Sequence, residues 1–133
     1  MPTTTNVDVV RELYGALGRG DLHTLLSLVA ATCRWDCPGP AEIPWAGSFS
    51  GHAGVRTFAA ELAEGAEMLA FEPRKFIEQE DTVVVLGFEK ARSRRTGRSY
   101  EAYWVHAVTV ADGRIIVFRE YTDTAAVAAA FRG

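Results

Sequence analysis

The sequence has few cysteines, no long apolar run and no excess of basic residues. Cys33 and Cys37 are its only cysteines, with no Cys or His pair nearby, so neither a zinc site nor a disulfide framework is indicated. No apolar run approaches the roughly 20 residues of a membrane span, and the first residues show no apolar h-region, so neither a membrane span nor a signal peptide is expected. Fourteen Lys and Arg against seventeen Asp and Glu give a net charge of −3, which disfavours nucleic acid. We therefore expect a cytoplasmic protein that binds neither membranes nor nucleic acid.

What is present fits one folded domain. Of the 133 residues, 48% are apolar and 23% are charged, close to the globular average. No repeat, low-complexity segment or linker divides the chain, so we expect a single domain over residues 1–133. The sequence contains no phosphate loop, dinucleotide motif or metal-ligand cluster, so it implies no cofactor and no metal.

The first half of the chain has helical spacing. Apolar residues recur every three or four positions over 7–17 behind a potential N-cap at Asn6, and a short second helix follows. A brief strand at 32–37 then leads into 38–51, which is rich in proline and glycine and is expected to be a loop. A third helix is expected at 52–64.

The second half has the pattern of β-strands. Four apolar and β-branched runs are separated by short acidic or glycine-bearing turns, which are typical of hairpins. These strands are expected at 68–79, 82–93, 99–110 and 114–122. Asp123 then caps a short alanine-rich helix. The order ααβαββββα with hairpin connections predicts an α+β fold with an antiparallel sheet.

The hairpin turns predict which side chains share a face of this sheet. A three-residue turn at 111–113 places His106 opposite Phe118 and Trp104 opposite Glu120. Two acids and an imidazole then lie among aromatic rings on one face: Glu89, Trp104, His106, Phe118 and Glu120. Burial raises a carboxyl pKa and a carboxylate favours a charged imidazole, so His106 and Glu120 are predicted to act as acid and base. Glu89 or Asp36 would orient them.

The candidate site residues also have ordinary structural interpretations. Glu89 and Glu120 can instead lie on the outer face and pair with Arg92 or Arg119, and His106 can be a structural histidine. The aromatic candidates for ligand binding are Tyr14, Trp35, Trp45, Phe58, Trp104 and Phe118, of which Tyr14 and Phe58 can equally be core residues. Trp45, in the expected loop, is predicted to cover the mouth of a cavity. Cys37 is interpreted as a small buried hydrophobe, and the arginines at 92–98 as a solvated turn.

The element order and several short motifs resemble the nuclear transport factor 2-like superfamily. The motifs are Tyr14-Gly-Ala-Leu-Gly-Arg-Gly-Asp21, the strand end from Trp35 to Gly39, Gly47-Ser-Phe-Ser-Gly-His52, Thr96-Gly97-Arg98, and Asp112-Gly-Arg-Ile115 leading to Tyr121-Thr-Asp123. Within this superfamily the chain is similar to the SnoaL-like polyketide cyclases and the ketosteroid isomerase-like proteins. The resemblance implies a curved antiparallel sheet, closed by three N-terminal helices into a cone, with a short C-terminal helix.

The chain departs from two enzyme types of that superfamily. His106 resembles the position of the oxyanion-stabilising acid of steroid isomerases, but their helix-one tyrosine falls at Leu13 and their general-base aspartate at Cys37 or Asp36. Steroid isomerisation is therefore not expected. Limonene epoxide hydrolases end their last strand in a string resembling Arg119-Glu120-Tyr121, with a partner acid at Glu89. Their arginine between the two acids falls at Gly87, which disfavours epoxide hydrolysis.

These observations predict a cofactor-independent acid–base enzyme that acts on a small, largely apolar molecule such as a polyketide or terpenoid. The reaction can be that of a cyclase, isomerase, dehydratase or hydrolase. A non-catalytic ligand-binding domain and an interaction module remain alternatives, because one fold hosts many functions. A homodimer is expected through the sheet face opposite the pocket. The residues assigned to that face are Val83, Val85, Val105, Ile115 and Val117.

Overall fold

The computed structural model describes residues 4–133, so residues 1–3 of the expected domain lie outside the described residues. Its elements are α1 (Asn6–Arg19), α2 (Leu22–Ser27), β1 (Val29–Cys37), β2 (Gly47–Ser50), α3 (Gly51–Gly65), β3 (Ala66–Gln79), β4 (Thr82–Ser93), β5 (Ser99–Ala111), β6 (Arg114–Thr122) and α4 (Thr124–Phe131). The predicted α+β class and the order of the main elements are confirmed.

Two details of the predicted elements were wrong. Thr5 caps α1 instead of Asn6, through a reciprocal hydrogen-bond pair with Asp8. The expected loop 38–51 also contains strand β2, which pairs with the end of β1.

The six strands form one curved sheet in the order β2-β1-β6-β5-β4-β3. Neighbours joined by hairpins are antiparallel, whereas β1 and β6, which no hairpin joins, run parallel. Register shifts interrupt β3 against β4 and bend the strand pair. Helix α1 buries its apolar stripe against this concave face, and α3 packs beside it on β1. None of the helices within residues 4–133 has the length and apolarity to cross a membrane.

The hairpin between β5 and β6 differs from the predicted register. Its turn has two residues, Asp112 and Gly113, whose positive φ values of 51° and 75° match the twist of the flanking strands. A further register shift follows at Thr109, so His106 lies opposite Glu120 and not opposite Phe118. By the same shift Trp104 lies opposite Thr122 and not opposite Glu120. The total offset of two residues keeps His106 and Glu120 on their predicted face, because strands alternate with period two.

The outer face of the sheet was predicted wrongly in part. Val83, Val85 and Ile115 are fully buried on the concave face. Val83 and Val85 share the strand parity of the inward-facing Glu89. Ile115 differs in parity from Phe118 and is turned inward by the register shift opposite Thr109 and Val110. The outer face instead carries Leu86, Tyr103, Val105, Val117 and Tyr121, of which Tyr103 is 70% and Tyr121 53% exposed. This face is broad and partly apolar, and no helix or strand within the described residues covers it.

The arginines of the β4–β5 turn are more than a solvated cluster, which corrects their interpretation. Arg94 donates its Nε–H to the carbonyl of Ala63 near the end of α3, at 3.0 Å. Three further side chains of the turn donate hydrogen bonds to backbone carbonyl oxygens at the end of α4. Arg95 donates to Phe131, Thr96 to Ala130, and Arg98 to Arg132. The last carbonyls of a helix lack partners within the helix, so this turn caps both α3 and α4.

We predict that the chain forms a homodimer through the outer face of the sheet, since an apolar patch of this kind is seldom left in water. Sedimentation should give twice the mass of one chain at tens of micromolar, and Val105→Glu should give a monomer. Thr57→Glu, on the exposed side of α3, is the matched control and should remain dimeric. A monomeric wild-type protein at that concentration would contradict the prediction.

Candidate functional site

A small cavity lies between the concave face of the sheet and helices α1 and α3. Its volume is about 50 Å³, and its lining residues are Tyr14, Leu17, Trp35, Trp45, Phe58, Leu62, Met68, Phe71, Glu89, His106, Phe118 and Glu120. Eight of the ten residues predicted for the site therefore line the cavity, all except Asp36 and Trp104. The other lining residues are apolar side chains of α1, α3 and β3. Glu89, His106 and Glu120 lie on this concave face, so the alternative of an outer-face pair with Arg92 or Arg119 is wrong.

A chain of two hydrogen bonds joins α1 to the last two strands. The Tyr14 hydroxyl lies 2.8 Å from Nδ1 of His106, and Nε2 of the same ring lies 2.9 Å from Oε2 of Glu120. Burial, with the charge of Glu120 nearby, raises the pKa of Tyr14 far above its ordinary value, so the phenol stays protonated. With a neutral imidazole, Tyr14 thus donates to Nδ1 while Nε2–H donates to the Glu120 carboxylate.

Aromatic rings hold the imidazole in place. Trp104 stacks on His106 with ring centres 4.1 Å apart, and Phe71 stacks on Trp104 at 4.9 Å. The indole lies directly across Gly87, where an added Cβ would overlap its six-membered ring. An arginine at position 87 does not fit this packing, because Trp104 fills the space above that position.

A second carboxyl group, Glu89, is anchored separately. It is 9% exposed, and the Tyr100 hydroxyl donates to its Oε2 at 3.0 Å. Burial, followed by the negative charge of Glu120, raises the pKa of Glu89 from 4.5 to about 7. Burial also raises the pKa of Tyr100 well above its ordinary value, so this phenol remains a donor. Near neutral pH, Glu89 is therefore a carboxylic acid for a substantial part of the time.

The two carboxyl groups share their surroundings. Glu89, Glu120 and Trp45 line both the cavity and a smaller pocket on its far side, beside Cys37 and Thr122. Each carboxyl uses Oε2 for its hydrogen bond, and Oε1 of each accepts no protein hydrogen bond from the part of the chain described. No group of three His, Cys, Asp or Glu residues suited to a metal ion occurs within 4–133. The arrangement therefore offers two carboxyl oxygens for proton transfer.

The structure separates Asp36 from this cluster, so its predicted orienting role was wrong. Successive residues of a strand point to opposite faces, and Trp35 points inward. Asp36 therefore lies on the outer face, where it accepts a hydrogen bond from Ser48 at 2.5 Å and pairs with Arg34 and Arg119. Its neighbour Cys37 is buried, and burial with the nearby carboxylates raises the pKa of the thiol, which agrees with a structural cysteine.

Trp45 does not cover the mouth of the cavity, which corrects that prediction. It is 5% exposed and packs edge-on against Phe131 of α4, with ring centres 5.3 Å apart. The opening lies elsewhere, in a cleft of about 390 Å³ between α1, α3 and β3 that contains Leu62 and Met68. Trp45 forms the inner wall. The sequence of segment 38–46 has no regular spacing of apolar residues, so the directions of its side chains could not be predicted.

The other aromatic candidates line or support the cavity. Trp35 stacks on Phe118 with ring centres 3.9 Å apart, and Phe58 contacts Trp35 at 5.2 Å. Tyr14 reaches the cavity from α1, while Leu13 is fully buried in the core. The role of Tyr100 as a hydrogen-bond donor to Glu89 was not predicted from the sequence. Tyr100 lies an even number of residues before Trp104 and His106 on β5, so the alternation of side chains could have placed it on the same face.

Comparison with known proteins identifies the class that this fold and site define. The SnoaL-like domain family matches residues 10–118, so the chain belongs to that family and to the nuclear transport factor 2-like superfamily. Among solved structures, it is similar to a nuclear transport factor 2-like protein of Burkholderia xenovorans, at 37% identity and a TM-score of 0.90 over 99% of each chain.

Two further solved structures are similar along their whole length. One is a nuclear transport factor 2-like protein of unknown function from Burkholderia pseudomallei, 32% identical over 96% of this chain and 98% of that one, with a TM-score of 0.87. The other is TerC, crystallised with polyporic acid, which is 28% identical over 96% of this chain and 98% of that one, with a TM-score of 0.82. No curated protein matches the chain significantly.

Gly87→Ala should destabilise the fold by about 1–3 kcal/mol, because the new methyl group forces the Trp104 indole out of its stack. Chemical denaturation measures this loss. Gly18→Ala is the matched control, since a Cβ there meets nothing within 4 Å and alanine favours the helix. Equal stability of Gly87→Ala and wild type would show that Trp104 does not depend on the glycine.

Glu89 should make stability fall as pH rises. Between pH 4.5 and about 7 the folded state binds more protons at Glu89 than the unfolded state does, so unfolding becomes easier with rising pH. Glu89→Gln removes this penalty, and its stability relative to wild type should increase by about 3 kcal/mol from pH 4.5 to pH 8. Denaturation at both pH values measures the difference, with the exposed Glu101→Gln as control. A difference that does not change with pH would contradict the prediction.

Proposed function

We propose that this protein is a cofactor-independent acid–base enzyme that moves a proton to and from carbon in a small, largely apolar carbonyl compound. The observation that carries the proposal is the pair of carboxyl groups on one cavity, Glu89 buried and Glu120 with its side chain 17% exposed, each held by one oxygen and free at the other. Two such groups in different environments suit opposite roles, one as a base and one as an acid.

Glu120 is the base in this scheme. The Nε2–H of His106 holds its carboxylate, and Oε1 remains available to take a proton from the carbon next to a carbonyl group. As that C–H bond breaks, its electron pair forms a carbon–carbon double bond and negative charge develops on the carbonyl oxygen. His106 and Tyr14 are positioning residues, because they orient the carboxylate and fix the imidazole tautomer.

Glu89 is the acid. Its raised pKa, about 7, leaves a proton on the carboxyl group when Glu120 is ionised, and Tyr100 holds Oε2 so that Oε1 can carry this proton. Donation to the developing oxygen anion gives an enol. In an isomerisation, Glu120 returns its proton to another carbon of the conjugated enol, while the enol O–H proton goes back to Glu89 and the carbonyl group is restored. In a ring closure, the enol carbon attacks a second carbonyl group, whose π electron pair becomes an alkoxide that takes the proton from Glu120, and the enol O–H proton goes back to Glu89.

The walls of the cavity and the relatives support a small apolar ligand. Trp35, Phe71 and Phe118 present rings to the cavity. TerC, which is similar over 96% of this chain, was co-crystallised with polyporic acid, which is in keeping with a small organic ligand. We also propose the cytoplasm as the location, in keeping with two cysteines that are free and buried.

The size of the cavity favours one alternative, a ligand-binding domain without catalysis. A space of about 50 Å³ holds a few atoms only, so most of a ligand must lie in the cleft of about 390 Å³ outside it. In an enzyme the reactive carbonyl reaches the two glutamates, whereas in a binding domain the ligand stops in the cleft. Proton exchange at carbon separates the two.

The test is deuterium incorporation into 2-tetralone, an apolar ketone with exchangeable hydrogens next to its carbonyl group, followed by nuclear magnetic resonance in heavy water. Wild type should exceed the buffer rate, and Glu120→Gln should lower the enzymatic rate by at least about 100-fold. His106→Ala should also lower it, and the double variant should be barely worse than Glu120→Gln alone, because both residues serve one transfer. Glu101→Gln is the control and should match wild type.

The same assay assigns the acid by its pH dependence. The wild-type rate above background should fall about tenfold per pH unit above pH 7, as Glu89 loses its proton. Glu89→Gln should be slower and should lack this fall. Exchange by Glu120→Gln at the wild-type rate, or exchange by wild type no faster than buffer, would contradict catalysis at this site.

A further inference from the structure

The outer cleft continues the inner cavity towards solvent. Both are lined by Tyr14, Leu17, Leu62, Met68 and Phe71, so one elongated ligand can occupy the two together. The remaining lining residues of the cleft are Gly18, Ala59, Ala63, Ala66, Glu67 and Arg94. The cleft is therefore apolar along most of its length, with two charged side chains at its rim.

Those two charges differ in how they are compensated. Glu67 accepts a hydrogen bond from Arg92 at 3.0 Å, so its charge is neutralised at the surface. Arg94 pairs with no carboxylate within residues 4–133. Its Nε–H is occupied by the carbonyl of Ala63, which fixes the guanidinium at the rim. The two terminal nitrogens have no partner among the described residues, and their parallel N–H groups match the two oxygens of a carboxylate.

We propose that Arg94 binds a carboxylate group of the ligand, so that the substrates of this site are apolar carboxylic acids. The acid group stays at the rim, the apolar body lies between α1, α3 and β3, and the opposite end enters the cavity. The assignment of that end as the reacting carbonyl rests on the proposed function. The binding of the acid group does not.

The net charge of the protein indicates that only a local group can attract an anionic ligand to the cleft. A net charge of −3 gives the protein no general attraction for anions, and surface attraction at long range is screened by salt. A preference for an anionic ligand must therefore come from a local group. Arg94 is the only lysine or arginine in the lining of the cleft, as far as residues 4–133 show.

The experiment compares 2-naphthylacetate with 2-naphthylacetamide by isothermal titration calorimetry. The two probes share shape and apolar area and differ in the charged group. Wild type should bind the carboxylate about 5- to 30-fold more tightly than the amide, as expected for a guanidinium–carboxylate contact at a partly covered site. Arg94→Gln should bind both probes equally, and Arg94→Lys should keep part of the preference because it retains the charge.

Arg56→Gln is the matched control, because it removes the same charge from an exposed position on α3 that does not line the cleft. It should keep the full preference for the carboxylate.

Unchanged affinity of Arg94→Gln for the amide would show that the cleft is intact despite the loss of the contact to Ala63. A carboxylate preference that survives in Arg94→Gln, equal binding of both probes by wild type, or no binding of either probe would each overturn the proposal. Failure of proton exchange with the carboxylate preference retained would instead count against the proposed function alone.

Discussion

The concave face of the sheet buries Glu89, His106 and most of Glu120, and the rest of the structure depends on keeping these groups hydrogen-bonded. A buried polar group without a partner costs about 1–3 kcal/mol, and a buried charge costs more. The partners come from separate elements: Tyr14 from α1 holds His106, which holds Glu120 of β6, and Tyr100 of β5 holds Glu89 of β4. The position of α1 on the sheet is thus set by a directional contact as well as by its apolar stripe.

The alternation of side chains in a strand explains how much of the site could be predicted from the sequence. The predicted hairpin was two residues out of register, yet Glu120 and His106 stayed on one face because an even offset preserves the face. The same rule excludes Asp36, since Trp35 and Asp36 are adjacent on β1 and only one of them can point inward. Period-two patterns therefore predict which face a residue lies on better than they predict which residue lies opposite.

Features without a period could not be predicted in this way. The fold of segment 38–46 comes from contacts with distant residues, such as that of Trp45 with Phe131 of α4, which is remote in sequence. The role of the arginine-rich turn was equally hidden. Arg94 and Arg98 find their partners on α3 and beyond α4, and exposed arginines in a sequence carry no sign of which helix end they cap. In both cases the decisive partner lies more than thirty residues away.

The negative charge of Glu120 also acts on the second carboxyl group. It is one of the causes that raise the pKa of Glu89, so it is part of what keeps the Glu89 carboxyl group protonated. In the reaction that we propose, Glu120 takes a proton from carbon, this repulsion disappears, and Glu89 then releases its own proton more easily to the developing oxygen anion. In that scheme, transfer of a proton to Glu120 prepares Glu89 for its own step. Trp45, which lines the cavity beside both carboxyl groups, helps to exclude the water that would screen this repulsion. The coupling therefore depends on the burial that also makes the hydrogen bonds to Tyr100 and His106 necessary.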